Sequence, residues 1–69
     1  MDIKQIFGNN IKHYREKKGL TQQQLADLTG LNRVYITDVE GGKRNVTLDI
    51  MAKFSAGLGV KIGTLLTEK

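Results

Sequence analysis

Four residues near the middle of the chain, Arg33, Val34, Thr37 and Asp38, fall on one side of a helical wheel turned at about 100° per residue. Gly41 closes that stripe, and Tyr35, Ile36 and Val39 point the other way. The second set is apolar enough to be core. The first is short, mixed and polar, which suits a helix that enters a groove and touches base edges. Arg33 offers a planar fork to guanine O6 and N7, or to a phosphate. Val34 supplies methyls for a thymine methyl, and Thr37 is short enough to reach a base or a phosphate. Asp38 is the awkward member, because phosphates repel a carboxylate. It can accept from a cytosine amino group, discriminate against wrong sequences, or pair with a nearby lysine. Alone, such a stripe is an ordinary solvated helix face; its setting argues for more.

Gln22 lies in the first turn of the preceding helix, whose free backbone N–H groups make an anion site. The work it suits is a phosphate hydrogen bond that fixes register rather than sequence. Thr21 and Asn32, at the two helix starts, belong to the same expected DNA-facing set. Lys43, Arg44 and Asn45 follow in a basic loop that can grip the backbone, and Arg44 has the length to enter a groove. For Lys43 a solvated turn is nearly as good an account. Tyr35 is expected to be half core, with its hydroxyl turned toward a phosphate. Arg15 sits beside the apolar stripe of the first helix and Glu40 at the boundary of the inward face of the third. A structural ion pair between them is expected, and breaking it would leave one partly buried charge uncompensated.

The elements that position these residues follow from caps and spacing. No proline occurs, so glycine, threonine and asparagine punctuate the chain. A first helix begins at Asp2, with Gln5 as a capping-box partner, and carries Ile3, Ile6, Phe7, Ile11 and Tyr14 at helical spacing. Gly19 stops it. Thr21 and Gln24 open a second helix whose buried side is Leu25, Ala26 and Leu28, and Gly30 ends it. Leu31 plugs the angle, and Asn32 caps the third helix. After the loop GGKRNV, residues 41–46, Thr47 caps a fourth helix with Asp49 in its first turn. Its inward stripe is Leu48, Met51, Phe54, Ser55 and Leu58. A last short helix over residues 61–66 sets Ile62, Leu65 and Leu66 against the core. The expected architecture is all-α, a compact five-helix bundle in one domain spanning residues 1–69.

Composition limits the remaining chemistry. The chain has 69 residues, so the monomer buries about 60% of its unfolded surface and is marginally stable. Without cysteine there are no disulfides or thiolate metal sites, and His13 alone builds no zinc site. Self-association is then the available support. Ser55 has no histidine or acid at a suggestive spacing, and Gly57, Gly59 and Gly63 match no phosphate loop. No enzyme, cofactor, metal or small-molecule substrate is expected. A net charge of +4 leans slightly toward a polyanionic partner. No run approaches the roughly 18 apolar residues of a membrane span, and MDIKQIFGNN lacks a signal-peptide core. A cytoplasmic location is the default.

The stretches YREKKGLTQQQLADLTGL, YITDVEGGKRN and TLDIMAKFSAGLGV resemble the lambda-repressor-like helix-turn-helix family, the Cro or XRE type. The resemblance covers about residues 11–66, with the helix-turn-helix at about 21–40. It implies a third helix in the major groove of double-stranded DNA, normally in a two-fold dimer. It also implies that Gln22 contacts phosphate, that Arg33, Val34 and Thr37 face base edges, and that Arg15 and Glu40 pair. Within the family, NRVYITDVEGGKRNVTL is most similar to restriction–modification controller proteins; small phage repressors and antitoxins are close competitors. The implied function is a sequence-specific transcriptional regulator, homodimeric on a pseudo-palindromic operator, with half-sites about 34 Å apart. The alternative is an antitoxin that binds a toxin protein as well as DNA, against which stands the short run of Thr67, Glu68 and Lys69 after Leu66. Three positions depart from the pattern. Lys61 stands where a capping side chain is usual, and Gly57 and Gly63 each cost a helix up to about 1 kcal/mol.

Overall fold

A computed structural model of the protein describes residues 2–68, and among these it has five helices and no strand. Helix starts coincide with short polar side chains. Asp2 accepts from the Lys4 amide at 3.0 Å and opens α1, Ile3–Lys17. Gln5, expected to complete a capping box there, lies with its side chain against Gly42 instead. Thr21 and Gln24 do close a capping box, with bonds of 3.0 and 2.8 Å, and open α2, Gln22–Thr29. Gly30 ends α2 in the left-handed region, at φ 72°, where a side chain would be strained. Asn32 accepts from the Val34 amide at 2.7 Å and starts α3, Arg33–Glu40. Thr47 does the same for Ile50 at 3.2 Å in α4, Leu48–Leu58.

The last helix, α5, is shorter than expected and covers Ile62–Leu65. Lys61 precedes it and supplies no capping hydrogen bond, so the first turn has no help from sequence. Its other end is satisfied from a distance. The buried Asn10 side chain of α1 donates to the Leu65 carbonyl at 2.8 Å and to the Thr67 carbonyl at 2.9 Å. A single amide thus meets the Leu65 carbonyl, which the end of a four-residue helix leaves without an internal partner, and the Thr67 carbonyl just beyond the helix.

Phe7 and Ile11 of α1, Leu25 and Ala26 of α2, Ile36 and Val39 of α3, Phe54 and Leu58 of α4 and Leu65 of α5 make one core. The Phe7 and Phe54 rings meet edge to face at its centre, with centroids 5.7 Å apart. Six expected core residues lie outside it: Ile3, Leu28 and Leu48 are exposed, and Ile6, Ser55 and Ile62 are only half-buried. Ile3 sits at the open end of α1. The buried face of α2 runs through 25, 26 and 29, one turn apart, so Thr29 is buried where Leu28 was expected. Its hydroxyl bonds the Leu25 carbonyl at 2.8 Å, which makes that burial tolerable. Leu48 lies about 120° from Phe54 on the wheel, whereas Ile50 lies within about 40° and packs on the core in its place.

Two glycines set how closely the helices cross. A Cβ on Gly8 would overlap the Val39 carbonyl oxygen and lie 3.1 Å from that of Glu40. A side chain there would push α1 off the end of α3. At Gly57 a Cβ would stand 2.9 Å from the Thr29 methyl, so α4 rests directly on α2. The glycine in α4 that costs helix propensity is therefore what allows that contact. Packing against α1 and α2 holds α3 by one side and leaves its other side outward.

Candidate nucleic-acid interface

Full burial of Ile36 and Val39 fixes the roll of α3 about its own axis. Arg33, Val34 and Thr37 consequently face solvent, and Val34 keeps 56% of its surface exposed. An exposed valine, arginine and threonine within two turns form a surface with one planar donor, one apolar contact and one hydroxyl. Asp38 is partly buried at the edge of this face, and Tyr35 is half-buried with its ring packed on the core.

Behind the face lies a buried ion pair. Arg15 Nε donates to Glu40 Oε2 at 2.6 Å and Nη2 to Glu40 Oε1 at 3.1 Å, while Nη1 donates to the Leu20 carbonyl at 2.8 Å. The two side chains are 11% and 5% exposed, so water screens them little. The Glu40 hydrogen bond raises the pKa of the Arg15 guanidinium, against the opposing pull of burial. This fork joins the last turn of α1 to the last residue of α3.

Gln22 extends the chain of contacts to the surface. Its Nε2 donates to Glu40 Oε1 at 3.1 Å, and its Oε1 accepts from the Thr37 hydroxyl at 2.9 Å. The Thr37 oxygen also lies 3.1 Å from the Arg33 carbonyl one turn back. Gln22 and Thr37, assigned to different tasks on sequence grounds, are thus neighbours in one network. Thr21 and Asn32 have a different situation: their side-chain oxygens serve the helix ends, so any DNA contact is additional to that.

The partner of Asp38 is Arg44 rather than a lysine, with Oδ2 at 3.2 Å from Nη2 and 3.3 Å from Nε. The Arg44 guanidinium also lies over the Tyr35 ring, 5.1 Å from its centroid. Lys43 and Asn45 are exposed in the same loop, and the Lys43 amide donates to the Asp38 carbonyl at 2.9 Å. The loop therefore stays beside α3. Sequence reasoning missed Asn10 and Gly8. The available signal for Asn10 was a polar residue on the apolar stripe, three after Phe7 and four before Tyr14; for Gly8 there was none without knowing the crossing.

Among the described residues no three histidine, cysteine or acidic side chains are grouped to hold a metal ion. No helix among them is long and apolar enough to cross a membrane.

Residues 11–65 match the model of a family described as helix-turn-helix. The control protein C.SmaI of Serratia marcescens is 42% identical over 69 residues, covering 100% of this chain and 82% of the relative. The crystal structure of the restriction–modification controller protein C.AhdI from Aeromonas hydrophila superposes with a TM-score of 0.86 at 39% identity, covering 90% of this chain and 94% of that one. The master regulator for biofilm formation SinR, solved in complex with DNA, is similar at a TM-score of 0.84 and 34% identity, over 88% of this chain and 98% of that one.

Proposed function

The chain belongs to the helix-turn-helix family, and from that premise we propose a sequence-specific DNA-binding transcriptional regulator, a homodimer on a pseudo-palindromic operator. The observation that carries this reading is the outward set of Arg33, Val34 and Thr37 on a helix whose opposite side is fully buried. A rigidly rolled helix delivers the same side chains to the same base edges at every encounter, which sequence reading requires. Gln22 and the loop residues Lys43, Arg44 and Asn45 flank that face and take the phosphates, which fix orientation. Thr21, Asn32 and Tyr35 border the same surface, and Asp38 tempers it.

The similarity to C.SmaI and C.AhdI supports the controller role over that of an antitoxin. Regulation then follows from occupancy, with the dimer blocking polymerase or helping to recruit it. Two recognition helices about 34 Å apart match one turn of DNA. On this reading the protein works in the cytoplasm and performs no catalytic step. Amide chemical-shift mapping with a short duplex tests the face directly. The largest changes are expected at residues 22, 33–38 and 43–45; changes centred on α4 and α5 instead would overturn the assignment.

A further inference from the structure

We propose that Thr37 reads with fixed polarity: its oxygen accepts a hydrogen bond from the exocyclic amino group of adenine or cytosine in the major groove. The inference rests on the DNA-reading role given to α3 and adds the base-edge chemistry that one of its residues takes.

The polarity begins at Arg15, which has donors only and stays charged. Its fork meets both oxygens of Glu40, a carboxylate that accepts only. Gln22 lies 3.1 Å from the same Glu40 Oε1. The amide must turn its NH2 group that way, because its carbonyl oxygen would repel the carboxylate. Oε1 of Gln22 therefore faces Thr37, 2.9 Å away. A carbonyl oxygen cannot donate, so the single hydroxyl proton of Thr37 runs inward to it. The Arg33 carbonyl at 3.1 Å is a second internal acceptor for that proton. What Thr37 has left to show the solvent is lone pairs.

In the major groove the donors are adenine N6 and cytosine N4, while guanine and thymine present acceptors. An acceptor-only Thr37 is matched by the first two. Donating to guanine O6 or thymine O4 would instead strip the proton from both internal acceptors. Thr37 is exposed on the reading face, so the preference acts where the helix meets the bases.

The test uses the intact protein and a duplex carrying the motif enriched from randomised DNA. Adenine is replaced by purine, cytosine by 2-pyrimidinone and guanine by 2-aminopurine, one pair per half-site, and binding is titrated with wild type, Thr37→Val and Thr37→Ser. One adenine or cytosine is expected whose amino group, once removed, weakens wild type and Thr37→Ser by roughly 3- to 10-fold per half-site. The same removal should leave Thr37→Val unchanged, giving a coupled double-mutant cycle. Coupling of Thr37 to a guanine O6, or to no base of a motif the protein does bind, overturns the inference alone. Failure of the folded protein to enrich any motif overturns the DNA-reading role, and this inference with it.

Discussion

Arg33 and Asp38 stand on the same helix face with opposite charges, and the structure separates their work. Arg33 is exposed at the first position of α3. Arg33→Ala should cost about 1–3 kcal/mol at one base position and relax specificity there. Equal loss on operator and random duplex in anisotropy titrations would remove it from the base-reading set. Asp38 holds Arg44 in an exposed ion pair, a contact worth at most about 1 kcal/mol of stability. Asp38→Asn should therefore melt within a few degrees of wild type. It should bind random-sequence duplex more tightly, because Arg44 is released and a carboxylate near phosphates is gone. Unchanged or weaker binding to random DNA would show that the pair has no such restraining effect. At this scale the sequence is partly legible. Arg15 and Glu40 each sit at the margin of an apolar stripe, where a charge is tolerated only with a partner. Gln22 gives no such clue, since its bonds to residues 15 and 18 positions away exist only once α2 crosses α3.

Helices are the most legible scale, because their starts depend on local chemistry. Thr21, Asn32 and Thr47 each cap the helix that follows, and Gly30 and Gly59 each end one in the left-handed region. What pattern alone misplaces is the edge of each buried face: Leu28 and Leu48 are apolar yet outside the core, and Thr29 is polar yet inside. Crossing distances are not in the pattern at all. Gly57 reads as a weakness in α4, whereas it is the point where α4 meets the Thr29 methyl. Gly57→Ala gains up to about 1 kcal/mol of helix propensity. Against that stands a crowded contact of the kind that costs about 1–3 kcal/mol. A net loss of stability is expected by urea denaturation, and adding Thr29→Ser, which removes the methyl, should recover most of it. A Gly57→Ala protein more stable than wild type, by the propensity gain alone, would mean that α2 and α4 separate freely.

For the whole molecule, size is the governing quantity. A 69-residue chain without disulfides has a small core and little stability to spare. A partner subunit adds stability by mass action, so the melting temperature of a homodimer rises with protein concentration. A melting temperature independent of concentration across the micromolar range would contradict a dimer linked to folding. The sequence leaves the dimer contact unread, because an exposed apolar residue such as Leu48 has the same signature whether it meets water or a second chain. Two copies also bring the net charge on DNA to twice +4 and tie binding steeply to salt. The most direct measurement is a binding selection on randomised duplex DNA at near-physiological salt, with sequencing of the bound pool. The account predicts a two-fold motif with half-sites centred about 34 Å, one helical turn, apart. A folded protein that enriches no motif, or only a single undivided site, would contradict it.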